Sequence, residues 1–115
     1  MMTDMDSTKP NNSPVEVAEI CHRLGARIRT ARLQRKWRQQ DVVERTGYSR
    51  STVLNVEKGD PKTALGIYLH ILWLMGLARE IELVADPGLD REGLAVALDA
   101  ANKRAYLPRK VSDDF

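Results

Sequence analysis

The chain has 115 residues and a mass of 13.0 kDa, which suits one small domain with tails and is too short for two. Hydrophobic residues make up 43% and charged residues 30%, as in soluble globular proteins, and the single cysteine excludes an internal disulfide. The N-terminal residues show no apolar secretory signal. The longest apolar stretch, 64–78, is shorter than the ~18 residues of a membrane span. We therefore expect a cytoplasmic protein.

Basic residues are concentrated in one part of the chain. Residues 20–62 contain eleven Lys and Arg against four Asp and Glu, whereas residues 1–19 and 79–115 are net acidic. No acidic side chain occurs between Ile20 and Gln40. A basic surface of this kind is typical of a protein that binds a polyanion. An ordinary solvated helix face has the same composition, so charge alone leaves both interpretations open.

The N-terminal half begins with a predicted disordered arm at 1–14, which is rich in Pro, Asn and Ser. An apolar stripe with helical spacing then predicts a first helix from Val15 to about Lys36. Gly25 lies inside this pattern and offers a second position at which the helix can start. The stripe consists of Ile20, Leu24, Ile28 and Ala31.

Two short helices follow. The first is predicted from Gln39 to Thr46, and Gly47 stands at the left-handed position that commonly ends a helix. Ser49 is placed to cap the next helix, from Arg50 to Lys58. The sequence Gly-Asp-Pro at 59–61 then breaks the chain.

The C-terminal half is also predicted to be helical. A fourth helix, at about 63–75, is apolar nearly all round, and Gly76 ends it. A fifth, short helix is expected at 78–85, before the break at Asp-Pro-Gly 86–88. Asp90 can cap a further small helix through about Arg104. The predicted fold class is therefore all-α.

The segment from Trp37 to Gly59, WRQQDVVERTGYSRSTVLNVEKG, carries the most specific pattern. Two short helices joined by a tight glycine turn cross steeply, which leaves the second helix free to enter the ~12 Å major groove of DNA. Its N-terminal and outward residues are then free to reach bases. Arginine can grip the O6 and N7 atoms of guanine, and asparagine can pair in the same way with adenine. On this basis we expect base contacts from Arg50, Ser51 and Asn55.

This segment resembles the helix-turn-helix of the phage-repressor (Cro/cI, or XRE) family over roughly residues 22–77. The resemblance rests on Gln39, Gly47, the run Ser-Arg-Ser-Thr at 49–52, and Glu-Lys-Gly at 57–59. It implies a five-helix, phage-repressor-like domain at 15–85. A short C-terminal helical extension and tail at 86–115 would follow, as a dimer or partner contact.

The resemblance also implies roles for individual residues. Gln39 and Thr52 would meet the DNA backbone, and Arg32 would form a structural ion pair with Glu57. We also expect Arg38 and Lys58 to contact the backbone, although a solvated position is an equal alternative for Arg38.

Three residues depart from the family pattern. Val43 stands at the helix-crossing position, where alanine is usual, and we expect it to alter the angle between the two helices. Tyr48 replaces a small aliphatic residue in the turn. Leu54 lies at a typically polar position, where it either touches a thymine methyl group or is simply exposed.

No pattern in the sequence points to an enzyme. Cys21, His22 and His70 are too few for a metal site, and the neighbours Cys21 and His22 do not face each other on a helix. His70 is expected to be a hydrogen-bonded core or interface residue. With no paired carboxylates and no glycine-rich phosphate loop, we expect no catalytic residues, cofactor or metal.

The fourth helix has more apolar side chains than one small domain can bury. The C-terminal segment is one candidate to cover part of this surplus. For the rest we expect a homodimer, and family members commonly dimerise beyond this helix. A two-fold dimer places its recognition helices one DNA turn apart and implies a roughly palindromic operator. The predicted dimer or partner surface consists of Ile67, Ile71, Trp73, Leu74 and Phe115.

The stretch LMGLAREIELVADP at 74–87, with the later Asp-Asp-Phe end, is similar to small HipB-like antitoxins. Such proteins repress their own operon and hold a HipA-like kinase toxin. The leading hypothesis is therefore a dimeric, sequence-specific repressor on double-stranded DNA, with autoregulation and a HipA-like toxin partner implied by this resemblance. The alternative is a protein-interaction module of the same fold that binds a partner protein and not DNA. Only a DNA-binding repressor would show an affinity for DNA that falls steeply as the salt concentration rises.

Overall fold

A computed structural model describes residues 14–104 of the chain. Over that range the chain forms helices and no strand, which confirms the all-α prediction. The predicted arm, apart from its last residue, and the predicted contact residue Phe115 lie outside the described residues. The helices are α1 (Val15–Gln34), α2 (Gln39–Thr46), α3 (Arg50–Lys58), α4 (Leu65–Leu74), the 3-10 helix η1 (Ala78–Leu83) and α5 (Arg91–Arg104).

The described chain divides into two compact units, and the division falls between Ala78 and Arg79. The sequence placed the end of the helix-turn-helix domain at residue 85. In the first unit α3 packs against α1 and α2, and α2 also packs against α4. The fully buried side chains of this core are Ile28, Val42, Val53, Val56 and Ile71.

The ends of the two short helices follow from local chemistry. Gly47 ends α2 in the left-handed conformation, with φ of 83°, where glycine avoids the steric penalty of a side chain. The Ser49 hydroxyl accepts a hydrogen bond from the backbone N–H of Thr52 at 3.1 Å and so caps α3. Both signals and the bounds of α2 and α3 are confirmed.

The glycine at position 25 has a packing role that its sequence pattern did not indicate. It lies in the middle of α1 and does not mark the start of the helix. A Cβ atom at Gly25 would stand 2.5 Å from the backbone N of Gly59 and from the backbone O of Val56. A Cβ atom at Gly59 would collide with the backbone O of Cys21. These two glycines therefore allow α1 to cross closely over the C-terminal end of α3.

The apolar stripe predicted for α1 is buried only in its second half. Ile28 and Ala31 belong to the core and Leu24 is half-buried, but Ile20 is 58% exposed. The helix begins about two turns before the level at which α3 packs on it, and its apolar residues Val15 and Ile20 are exposed there.

The prediction that Ile71 lies on a dimer surface is wrong. Its side chain is 1% exposed and belongs to the core of its own chain. Because α4 is apolar on all sides, its sequence does not show which side faces inward. The other residues predicted on this helix remain accessible: Trp73 is 67% exposed, and Ile67 and Leu74 are half-buried.

The second unit is described from Arg79 to Arg104. Its α5 confirms the predicted last helix, and the Asp90 carboxylate accepts a hydrogen bond from the backbone N–H of Gly93 at 3.0 Å at the start of that helix. The predicted fifth helix is a 3-10 helix that ends at Leu83. Neither η1 nor α5 contains a buried residue. Among residues 14–104, no helix is long and apolar enough to span a membrane.

Candidate nucleic-acid interface

The third helix has a buried side and an open side. Val53, Val56 and Glu57 are buried against the rest of the first unit. On the opposite side, Ser51, Leu54 and Lys58 are exposed, and Asn55 is half-buried. Residues three or four positions apart are neighbours on a helix surface, so these four side chains form one continuous outward face. The predicted base contacts Ser51 and Asn55 are neighbours on this face, one turn apart.

The N-terminal end of α3 is well formed. Ser49 satisfies the N–H of Thr52, and its hydroxyl lies 3.0 Å from the Thr52 hydroxyl. The Thr52 hydroxyl, a predicted backbone contact, therefore already has a partner in the cap. The N–H groups at the start of a helix and its dipole attract a phosphate group. Lys58 lies at the other end of α3, about 12 Å away along the axis at 1.5 Å per residue.

Arg50 lies at the exposed start of α3 and reaches back towards α2. Its Nη2 donates a hydrogen bond to Oε1 of Gln40 at 2.5 Å. The Gln40 amide in turn donates through Nε2 to Oε2 of Glu44, one turn further along α2, at 3.2 Å. This connection could not be predicted from the sequence, because Gln40 and Arg50 lie on different helices and their contact depends on how the helices cross.

Arg32 and Glu57 form a buried ion pair between α1 and α3. The two side chains are 7% and 4% exposed, and two guanidinium nitrogens meet the two carboxylate oxygens, Nε–Oε2 at 2.5 Å and Nη2–Oε1 at 3.1 Å. Arg32 also donates to the backbone O of Trp37 at 2.8 Å. This two-point geometry fixes the position of the C-terminal part of α3 relative to α1 and to the loop before α2.

The same pair holds the side chain of Gln39. Its Nε2 donates to Oε1 of Glu57 at 3.2 Å, and the side chain is half-buried. The predicted phosphate contact Gln39 is therefore tied to the ion pair through one of its two amide hydrogens. Its other amide hydrogen and the backbone N–H at the start of α2 remain to meet a phosphate.

Arg38, another predicted backbone contact, forms part of the cap of α2. Its backbone N–H donates to the Asp41 carboxylate at 2.7 Å, and its Nη2 lies 2.9 Å from the other oxygen. Hydrogen bonds from the Arg38 side chain and then from its backbone lower the pKa of Asp41 to about 2. The Arg38 side chain is 74% exposed, so it can also face a phosphate.

The basic stretch between Ile20 and Gln40 includes arginines with structural roles. Arg32 belongs to the buried pair, and Arg35 donates to the backbone O of Ala31 and of Met75 at the ends of α1 and α4. Arg23, Arg27 and Arg29 are exposed on α1. The positive charge of this stretch is therefore partly internal and partly available to a polyanion.

Two aromatic contacts support the helix-turn-helix and were missed by the sequence analysis. The Arg45 guanidinium lies 4.3 Å from the centre of the Trp37 ring, a cation–π contact between α2 and the loop before it. The Tyr48 hydroxyl lies 2.9 Å from Nδ1 of His70, and their rings meet edge to face. Tyr48, which departs from the family pattern, thus ties the turn to α4, and His70 is hydrogen-bonded as expected.

The part of the chain that the structure describes contains no group of three or more His, Cys, Asp or Glu side chains able to hold a metal ion. The features that point to a ligand are instead the open face of α3, its capped N-terminal end and the nearby arginines. An exposed helix presented in this way by a helix-turn-helix defines a DNA-binding protein.

The comparison with protein families agrees with this geometry. The family model described as a helix-turn-helix domain matches residues 23–82, just over half of the chain, and the chain belongs to this family. Membership indicates DNA binding and, with it, transcription regulation. No curated protein and no solved structure matches the chain.

Proposed function

We propose that the protein is a sequence-specific transcriptional repressor that reads its operator with the outward face of α3. The proposal rests on the arrangement of side chains on this face. Ser51 and Asn55 lie together on the side of α3 opposite the buried Val53 and Val56. Arg50 stands at the N-terminal edge of the same helix. Arginine and asparagine match the major-groove edges of guanine and adenine. Gln39, Arg38, Thr52 and Lys58 are the proposed contacts to the DNA backbone.

We propose that the repressor acts as a homodimer on a roughly palindromic operator. Support comes from apolar side chains that the single chain leaves accessible, with Trp73 67% exposed and Ile67 and Leu74 half-buried on α4. In the second unit, Leu83, Val84, Leu94, Val96 and Leu98 are each more than half exposed. A two-fold contact through such surfaces would set two α3 helices one DNA turn apart.

Sedimentation of the purified chain tests the dimer. We expect a molecular mass of two chains for the native protein and of one chain for Trp73→Glu, because a charge on a buried apolar contact is unfavourable. Thr30→Glu, an exposed change on α1, is the matched control and should stay dimeric. A native protein that sediments as a single chain at micromolar concentration contradicts the dimer.

We further propose that the protein represses its own operon and is the antitoxin of a HipA-like kinase. The support is the resemblance of residues 74–87 to HipB-like antitoxins, together with the apolar surface of the second unit. Co-purification of the protein with the product of the neighbouring gene, and loss of that product's kinase activity in the complex, test this part. A neighbouring gene that encodes no kinase contradicts it.

The repressor proposal is tested by titrating the protein with the DNA upstream of its own gene at two salt concentrations. An unrelated duplex and Arg50→Ala are the controls. We expect tight binding that weakens steeply with salt, prefers the upstream DNA, and loses this preference in Arg50→Ala. Binding that is indifferent to sequence, or no binding at all, would favour a protein-interaction module that keeps the fold without reading DNA.

A further inference from the structure

We infer that Gln40 is a positioning residue for specificity: with Glu44 it holds the Arg50 guanidinium in place for one guanine of the operator. The inference rests on the proposed function, because it presumes that Arg50 meets a base. It adds a residue on α2 that the motif does not mark and that need not touch DNA itself.

The orientation of the Gln40 amide is fixed by one hydrogen bond at its oxygen and one at its nitrogen. Oε1 accepts from Nη2 of Arg50 at 2.5 Å, and Nε2 donates to Oε2 of Glu44 at 3.2 Å. If the amide were turned over, Nε2 would face the guanidinium, and two donors would oppose each other. The Glu44 carboxylate would then face Oε1 of Gln40, and two acceptors would oppose each other. Glu44 therefore selects the amide orientation in which Gln40 offers an acceptor to Arg50.

The contact leaves Arg50 able to recognise a base. A guanidinium has five N–H donors, and the contact with Gln40 uses one of them. Two of the remaining four are enough for the O6 and N7 atoms of guanine. An exposed arginine otherwise samples many rotamers and loses that freedom when it binds, so a side chain already restrained before binding favours the correct contact.

The effect of Gln40 should therefore appear in base preference and not in overall DNA affinity. Non-specific binding depends on phosphate contacts and salt, and an uncharged amide contributes little to either. Discrimination at the base pair read by Arg50 depends on how well the guanidinium is aimed. Removal of the amide should make Arg50 tolerate another base at that position.

The experiment begins with selection of duplexes from a randomised pool by the full-length chain, which yields its preferred site. The discriminated pair is then defined as the base pair at which Arg50→Ala loses preference. The measured quantity is the ratio of the Kd for the substituted duplex to the Kd for the selected duplex. It is determined for the native chain, Gln40→Met, Gln40→Glu and Glu44→Ala, with Gln34→Met on the exposed end of α1 as the matched control.

We expect Gln40→Met to lower this ratio by about tenfold, within the range of a good bidentate contact, while Kd for an unrelated duplex changes less than about twofold. Glu44→Ala should lower the ratio by a smaller factor. Gln40→Glu keeps an acceptor oxygen and should retain the preference, and Gln34→Met should leave it unchanged. In the Arg50→Ala background, Gln40→Met should leave the Kd for the selected duplex unchanged, whereas a merely structural role for Gln40 would weaken binding in that background as well.

Three results would overturn the inference. In the first, Gln40→Met keeps the native ratio of the two Kd values. In the second, Gln40→Met loses affinity equally for every duplex. The third is an Arg50→Ala protein with unchanged preference at every position. If the native chain itself enriches no sequence and binds no duplex, the proposed function fails, and that outcome is seen before any variant is compared.

Discussion

Gly25 in the middle of α1 lies against the backbone of Gly59 at the end of α3, and neither position has room for a methyl group. The contact brings the two helices close enough for the buried Arg32–Glu57 pair to form beside it. The lack of a side chain at these two glycines therefore sets how closely α3 packs against α1.

Alanine at either glycine should destabilise the fold. We expect Gly25→Ala to lower the free energy of unfolding by about 1–3 kcal/mol through overpacking, and Gly59→Ala to lower it more, because Gly59 also has a φ of 72°. Urea denaturation measures both. Gly66→Ala is the control: it lies within α4 with open space around it and should raise stability by about 0.5–1 kcal/mol. A Gly25→Ala protein as stable as the native chain would show that α1 and α3 do not cross as described.

Removal of one partner of the Arg32–Glu57 pair should lower the free energy of unfolding far more than replacement of both partners by apolar residues. Arg32→Met leaves the Glu57 carboxylate buried without its cation, and we expect a loss of about 3–5 kcal/mol in the free energy of unfolding. The double variant Arg32→Met, Glu57→Leu removes both charges and should recover most of that loss. Chemical denaturation of the single and double variants provides the comparison. Additive losses in the double variant would contradict a coupled pair.

The cap formed by Asp41 makes a pH-dependent contribution to stability. Its pKa in the folded chain is about 2, below the ordinary value of 3.8, so the charged form is favoured by folding. The sign follows from linkage: the stabilisation is present above about pH 4 and disappears as the pH falls through about 2. Asp41→Asn should therefore melt at a lower temperature than the native chain at pH 7, with a difference that shrinks towards pH 2.

Asp99→Asn provides the control for this measurement, because Asp99 pairs with Lys103 only on the exposed surface of α5. Its melting temperature should follow that of the native chain at each pH. A gap between Asp41→Asn and the native chain that stays constant from pH 7 to pH 2 would mean that the Asp41 charge does not support the cap.

The exposed Leu54 should read a thymine. It lies on the outward face between Ser51 and Lys58, and leucine can contact the methyl group of thymine in the major groove. Replacement of that thymine by deoxyuridine in the selected duplex should weaken binding of the native chain by about fourfold, equivalent to about 0.8 kcal/mol for one buried methyl-sized group. Leu54→Ala should lose this sensitivity.

Leu33→Ala, a change at another exposed leucine, on α1, is the control and should respond to deoxyuridine like the native chain. Equal binding of both duplexes by the native chain at every thymine would show that Leu54 is exposed without a role in recognition.

The helices and their ends could be predicted because their signals are local. Gly47 and Ser49 act on the backbone beside them, so the bounds of α2 and α3 follow from the sequence alone. The burial of Ile71 and the exposure of Ile20 could not be predicted in this way. An evenly apolar α4 has no preferred face, and the level at which α3 crosses α1 is set by tertiary packing at Gly25.

The sequence allows the residues of the candidate site to be predicted, but not how their side chains are arranged. The motif marks Arg50, Ser51 and Asn55, and the structure places Ser51 and Asn55 on one open face. The partners of Arg50 and Gln39 were not visible, because hydrogen bonds between side chains of different helices depend on crossing geometry and rotamers.

The central claim is that α3 reads base edges in the major groove, and guanine-N7 methylation interference on the selected duplex tests it most directly. We expect methylation of one guanine in each half-site to abolish binding of the native chain, because N7 is the proposed acceptor for Arg50. Arg50→Ala should bind methylated and unmethylated duplexes equally. Native binding that tolerates methylation at every guanine, or an Arg50→Ala protein that remains as sensitive as the native chain, would contradict the claim.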